Sequence, residues 1–372
     1  MLGETIRTSR MFRTVKDMKR KRTRFRRTSR AVSLTAAVLV IGLAAVGLAA
    51  ILSGGSWWPH LRQALTRHPL PTPSAVSGKP AESVGTASAG QNGAREEGPV
   101  SPFAIAWISD TQLYAESYPE TFTAMTSWVD GHRTELSIMA LMHTGDVVNN
   151  RKSEKQWKNA VEAMGKLRLP ALIAAGNHDV WTPETDYIYF SRHFGTANDP
   201  DTVTWENGKG QYRVFSAGGL KVLLLALGYG TGAEGIAWAD EVLSRYPDHY
   251  AILGFHSYMT QDGVLGSAGR VFYRDLVKPH ANVKLVLCGH YHGVGRRDSR
   301  LDDDGDGTAD RTVVQLLADY QGEEQGGGGY LRLLLFDPAA EEVRVETYSP
   351  ILDDKVSGAD ASADLFSFPL EI

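Results

Sequence analysis

Residues 101–372 are predicted to form an α/β layered domain, on two regularities of pattern. Short apolar runs that stop at polar or glycine-rich clusters alternate with segments of helical period. Alternation of that kind stacks helices on sheets. Nearer the C-terminus, paired apolar runs take over and predict a second, partly antiparallel sheet. The 372 residues are 42% hydrophobic and 22% charged, enough apolar material for one large core or two modest ones.

In chain order, "FAIAWISD" (103–110), "LSIMALMHTGD" (136–146), "LPALIAAGNHD" (169–179), "HYAILGFHS" (249–257) and "VKLVLCGHYH" (283–292) are predicted as buried strands. Between them, "ETFTAMTSWVDGHR" (120–133), "SEKQWKNAVEAMGKL" (153–167) and "AEGIAWADEVLSRYP" (233–247) have the spacing of amphipathic helices, two of them opening on capping-type residues. "QYRVFSAGGLKVLLLALG" (211–228), "TVVQLLADY" (312–320) and "YLRLLLFDPAAEEVRVETY" (330–348) have the character of paired strands.

What precedes residue 101 differs in kind. Residues 1–30 hold twelve Lys and Arg against Glu4 and Asp17, a local charge of +10, and residues 31–52 ("AVSLTAAVLVIGLAAVGLAAIL") carry no charge. As a helix those 22 residues would be about 33 Å long, against a hydrocarbon core of about 30 Å. The basic flank predicts a cytoplasmic tail (1–30), a transmembrane signal anchor (31–52) and an extracytoplasmic remainder. The alternative is a cleaved export signal, which also exports the rest. Residues 53–100 are rich in Pro, Ser, Gly and Ala and are predicted to be a flexible linker, with Trp57 and Trp58 placed for an interfacial aromatic belt.

Subtracting +10 from the whole-chain −4 leaves the exported part at −14. An acidic surface excludes nonspecific nucleic-acid binding, which needs basic stripes to replace counterions, so no nucleic-acid partner is expected. Cys288 is the single cysteine and can form no intramolecular disulfide.

The ends of the five predicted strands carry Asp110 with Gln112, Asp146, Asn177 with His178 and Asp179, His256, and His290 with His292. Taken singly, a strand-end Asp is a turn cap and a buried His is a core residue. Five strand ends delivering carboxylate, amide oxygen and imidazole to one rim form instead a ligand set for divalent ions such as Mn, Fe or Zn. Two such ions can activate a water and clamp both oxygens of an in-line phosphoryl transfer.

In order and spacing, "DTQ", "GDVVNN", "GNHD", "GFHS" and "GHYH" resemble the signature blocks of the calcineurin-like metallophosphoesterases. The resemblance implies a four-layer α-β-β-α sandwich and hydrolysis of a phosphate mono- or diester by a dinuclear centre with a bridging hydroxide. It makes Asp146 the bridging carboxylate. Asp110, Gln112 and His292 fall to the first metal, and Asn177, His256 and His290 to the second. His178 becomes the catalytic acid that stabilises the transferring phosphoryl group and protonates the leaving oxygen.

Two departures stand out. Gln112 replaces the usual histidine of Asp-x-His, and a neutral, harder amide oxygen tilts the first site toward Mn or Mg. Asn149 stands where many members carry an aspartate that orients the catalytic histidine. The alternative function is a degenerate phosphoesterase that binds phosphorylated envelope components. Against degeneration, exported members with "DTQ" tend to have "ADYQ", a glycine run, "YLRLL" and "YSP" downstream, and this chain resembles them with "LADYQGEEQGGGGYLRLLLFD" and "TYSP". The expected substrate is a small-molecule or polymer phosphoester outside the cytoplasm.

Within "DDDGDGTAD", Asp302, Asp304, Asp306 and Asp310 have calcium-loop spacing, although Val313 occupies the twelfth position; a solvated acidic hairpin is the other possibility. Tyr114, Tyr118, Tyr258 and Tyr291 are candidates to line the substrate entrance, with core packing the alternative.

Overall fold

The structure is a computed structural model that describes residues 100–180, 186–355 and 361–372. The basic tail, the apolar segment 31–52 and the linker as far as residue 99 lie outside the described residues. Among the described residues no helix is long and apolar enough to cross a membrane.

The domain is built on two seven-stranded mixed sheets. The first contains β1 (Phe103–Ile108), β2 (Ile138–His143) and β3 (Ala171–Ile173), all parallel. β11 (Leu331–Asp337) runs antiparallel beside β1, and β12 (Glu342–Ser349) antiparallel beside β11. β13 (Asp354–Lys355) and β14 (Leu365–Pro369) both pair with β12. The second sheet has the order β4 (Val203–Trp205), β5 (Gly210–Ala217), β6 (Leu220–Leu227), β7 (Tyr250–Ser257), β8 (Val283–Gly289), β10 (Arg311–Asp319), β9 (Gly293–Leu301). β6, β7, β8 and β10 are parallel there.

The five predicted strands are thus divided between two sheets, β1 to β3 in one and β7 with β8 in the other. The expected second, partly antiparallel sheet is present, but it takes segments 211–228 and 312–320 and not 330–348. The β5–β6 hairpin joins the sheet of β7, and the β11–β12 hairpin extends the sheet of β1. Each hairpin has apolar residues on both faces, so each must be sandwiched. Leu331 and Leu333 join the helix-side core, and Leu334, Phe336, Val343 and Val345 join the core between the sheets.

Alternation along β1 shows the layering directly. Ala104, Ala106 and Ile108 pack with Phe122, Met125 and Val129 of α2 (Pro119–His132) and Trp157 and Ala160 of α3 (Glu154–Met164). Phe103, Ile105 and Trp107 face Leu224, Ile252, Leu285 and Leu316 of the other sheet. The outer side of that second sheet is covered by α5 (Gly232–Arg245), which buries Trp238, Ala239, Val242 and Leu243. The layers therefore run helix, sheet, sheet, helix, as expected. The predicted N-cap of α3 forms, the Ser153 hydroxyl accepting from the Gln156 N–H at 3.4 Å, an interaction worth about 1 kcal/mol.

β9 was not legible as a strand. "GVGRRDSRL" is rich in charge, yet it pairs with β10 residue by residue from Leu301 to Gly293. It is an edge strand, where charged side chains block further pairing. The acidic segment between β9 and β10 is the exposed hairpin loop.

Candidate metal centre

The donor residues lie at or shortly after the carboxyl ends of strands. Asp110 follows β1, Asp146 follows β2, Asn177 opens the short turn of helix α4 (Asn177–Val180) after β3, His256 lies near the end of β7, and His290 follows β8. Asp110, Asp146 and His290 have φ of 53°, 54° and 73°, left-handed conformations that non-glycine residues adopt at a cost. Each turn swings its side chain back across the sheet end. The neighbouring glycines make room. A Cβ on Gly289 would collide with Asp110 Oδ2, and one on Gly176 would collide with Asp146 Oδ1.

Donor atoms of Asp146, His256 and His290 lie within 4.8 Å of one another. His256 Nδ1 is 3.0 Å from the Thr144 carbonyl, which can only accept, so that nitrogen carries its proton. In a neutral ring Nε2 is then a bare lone pair. It nevertheless faces Asn177 Oδ1 at 2.9 Å, Asp146 Oδ2 at 3.3 Å and His290 Nδ1 at 3.2 Å. Such a convergence requires positive charge at its centre. Burial opposes charge on His256, but Asp146 beside it more than offsets this and raises its pKa to about 9. Burial, then the His256 charge, pushes His290 down to about 4. A divalent cation among these four residues supplies the charge that a proton otherwise must, so the donor set fits a metal ion.

The second half of the site surrounds Asp110. Its carboxylate accepts the His290 N–H at 3.1 and 3.2 Å. A chain of hydroxyls holds it from behind, Trp107 Nε1 donating to Thr144, Thr144 to Ser109, and Ser109 to Asp110. Burial, followed by the charge of Asp319, raises the Asp110 carboxyl well above the usual carboxylate range. A cation here would relieve both. Gln112 opens α1 (Gln112–Ser117) and is 2% exposed, with its Oε1 buried and lacking a hydrogen-bond partner. An orphaned buried carbonyl oxygen is what a ligand oxygen looks like before its ion is counted. His292 is exposed, and neither it nor Asp110 joins the group formed by Asp146, His256 and His290.

His178 donates its backbone N–H to Asp146 Oδ1 at 2.8 Å, and its Nδ1 is 3.0 Å from the Asn149 carbonyl. The Asn149 side chain does not hold this ring. That side chain points to Glu116, because the loop carbonyl already occupies the Nδ1 side. Asp179 is fully buried and accepts from the N–H groups of Val147, Val148 and Gly176, tying the "GD" and "GNHD" loops together.

Of the four tyrosines, only Tyr291 adjoins the centre, its ring edge-on to His290 at 4.7 Å. Tyr114 and Tyr258 are buried, their hydroxyls bonded to Gly329 N–H and Gln315, and Tyr118 packs on the helix-side core. Helical and strand neighbours cover these three, which separation along the chain does not reveal. In the acidic loop, Asp302, Asp304 and Asp310 converge, whereas the Asp306 carboxylate turns to the Thr308 N–H.

Sequence reasoning missed four residues. His143 bridges the "DTQ" and "GD" loops through Thr111 Oγ1 and the Gly145 N–H. Tyr229 sets its ring against His256 at 6.1 Å. Gln321 bonds to Gln112, and Asp319 bonds to Gln321. The only signal for the last two is the "ADYQ" block, which in the sequence marks a subgroup without pointing to a role.

A two-sheet sandwich with Asp, Asn and His donors gathered at its strand ends defines an α/β protein with a candidate metal centre. This chain belongs to the calcineurin-like phosphoesterase family, whose profile matches residues 103–294. The Bacillus subtilis (strain 168) protein YvnB, uncharacterized, is 43% identical over 260 residues, covering 68% of this chain. The chain matches only 20% of YvnB, about a fifth of that relative's length. Similar solved structures include a purple acid phosphatase from yellow lupin (Lupinus luteus; 13% identity, 74% of this chain and 55% of that one, TM-score 0.49). Another is a dimetal phosphatase from Danio rerio (12% identity, 74% of this chain and 100% of that one, TM-score 0.48).

Proposed function

We propose that this protein hydrolyses phosphate mono- or diesters at a dinuclear metal centre. The observation that carries the proposal is the lone pair of His256 Nε2 facing the oxygens of Asn177 and Asp146 and the Nδ1 of His290. Asn177, His256 and His290 would hold one ion, Asp110, Gln112 and His292 the other, with Asp146 shared. Mn, Fe or Zn held there would supply Lewis acidity toward the phosphoryl group and acidify a water. His178 commits its Nδ1–H to the Asn149 carbonyl, so in the protonated ring the Nε2–H would be the proton given to the leaving oxygen. Tyr229 and Tyr291 line the approach over the two ligand imidazoles.

The domain is further proposed to act outside the cytoplasm, held by residues 31–52. The dense basic tail and the uncharged run after it support this. Its substrate would then be an envelope or extracellular phosphoester. Membrane fractionation of the chain with and without residues 31–52 tests the anchor. A structural calcium held by Asp302, Asp304 and Asp310 is a separate proposal, supported by their convergence; a calcium-dependent rise in Tm that Asp302→Asn removes tests it.

For the activity, the full chain is stripped with chelator, reloaded with Mn, Fe, Zn or Mg, and assayed on p-nitrophenyl phosphate and its bis ester. Turnover with at least one metal, abolished by His290→Ala, is expected. Absence of turnover with all four would favour the degenerate binding protein instead.

A further inference from the structure

An amide in the first motif raises a difficulty that an imidazole does not. The two ends of a glutamine side chain are nearly equal in size, but only the carbonyl oxygen binds a cation. If the amide turns over, it presents two N–H groups to the ion. A glutamine ligand therefore needs something else in the protein to decide which end faces where.

Such a device is present. The Gln321 backbone N–H donates to Asp319 Oδ1, and its side-chain Nε2 donates to Asp319 Oδ2, both at 2.9 Å. Gln112 Nε2 donates to Gln321 Oε1 at 2.8 Å, with a longer second contact to Asp146 Oδ2 at 3.5 Å. Gln112 Oε1 has no partner.

The direction of this relay follows from its far end. An ionised carboxylate only accepts, so Gln321 must turn its NH2 toward Asp319 and its oxygen toward Gln112. Gln112 must then commit an N–H to Gln321, which releases its oxygen. Reversing any link would set oxygen against oxygen in a buried place, since Asp319 is 1% and Gln112 2% exposed.

We infer that Asp319 and Gln321 are positioning residues that orient the Gln112 amide so that its oxygen is offered to the first ion. The inference rests on the proposal that Gln112 is a ligand. Neither residue needs to touch the ion, as both carboxylate oxygens of Asp319 are engaged by Gln321. Asp319 ends β10 and Gln321 follows it, so the strand next to β8 in the second sheet supplies the orientation for a ligand held by the first.

Manganese titrated into the metal-free full chain, followed by calorimetry and by electron paramagnetic resonance, tests this without any activity assay. Wild type is expected to take up two ions. Asp319→Asn and Gln321→Ala should each weaken one of them by about 10- to 100-fold, the usual effect of losing an outer-shell partner, and leave the other unchanged. In a Gln112→His background, where there is no amide to orient, the same two substitutions should leave both affinities as they are in Gln112→His alone. Wild-type affinities in Gln321→Ala would overturn the inference. So would an equal loss in the wild-type and Gln112→His backgrounds, because the pair would then act through charge or loop packing. Fewer than two ions in wild type would remove the dinuclear centre itself, and this inference with it.

Discussion

The Nδ1 of His178 lies 3.0 Å from the backbone carbonyl of Asn149, while the Asn149 side chain donates to Glu116 Oε1 at 3.0 Å. The ring is thus oriented by main chain, and the identity of the side chain at 149 matters little to it. A carbonyl fixes the Nδ1–H tautomer and leaves Nε2 for chemistry. Asn149→Ala should therefore lower kcat by less than about tenfold, whereas His178→Ala should lower it by about 100- to 10,000-fold, the range for a general acid. Steady-state hydrolysis of p-nitrophenyl phosphate separates them. Equal losses in the two variants would show that the side chain orients the ring after all.

Gln112 Oε1 is buried without a partner, and the metal content of variants reads out its role. Gln112→His should retain or tighten manganese binding, and Gln112→Ala should loosen it by about tenfold or more. Equal manganese content in all three proteins after dialysis would exclude Gln112 as a ligand.

Gly176 and Gly289 lie against the two carboxylates. Because an added Cβ would collide with Asp146 Oδ1 or Asp110 Oδ2, each carboxylate would have to move. Gly176→Ala and Gly289→Ala should cost about 1–3 kcal/mol, as overpacking does, and reduce metal content. Thermal melts and metal analysis together check this; unchanged metal content in both would mean that the carboxylate positions are not critical.

His143 gives a pH signature. It is fully buried between the two aspartate loops, and burial, then the His256 charge, pushes its pKa down to about 3. The folded value lies below the unfolded one of about 6.5, so below that pH the unfolded chain binds a proton that the folded chain does not. The associated stability is present above about pH 6.5 and is lost as pH falls toward 3. In urea unfolding of metal-free protein between pH 6 and 4.5, the wild-type slope should exceed that of His143→Gln by about 1.4 kcal/mol per pH unit. Matching slopes would mean that His143 is protonated in the fold.

The layered α/β architecture and the polar residues gathered at the strand ends were legible because each rests on local pattern. "FAIAWISD" and "VKLVLCGHYH" announce a strand and its end in the same few residues, and Ser153 announces a helix start. β9 was hidden because edge strands tolerate charge, and its pairing depends on β10 lying beside it. Tyr114 and Tyr258 could not be told from entrance residues, since burial is decided by what packs over a ring.

Gln112 marks the boundary between the two kinds of knowledge. The sequence by itself determined that an amide follows Asp110 at the end of β1, and hence which donor types the first site has available. Only the tertiary structure decided which end of that amide is free, because the deciding hydrogen bond runs to Gln321, 209 residues away. Hydrogen-bond direction is settled by whichever partner cannot reverse, and here that partner, Asp319, arrives on a strand of the other sheet.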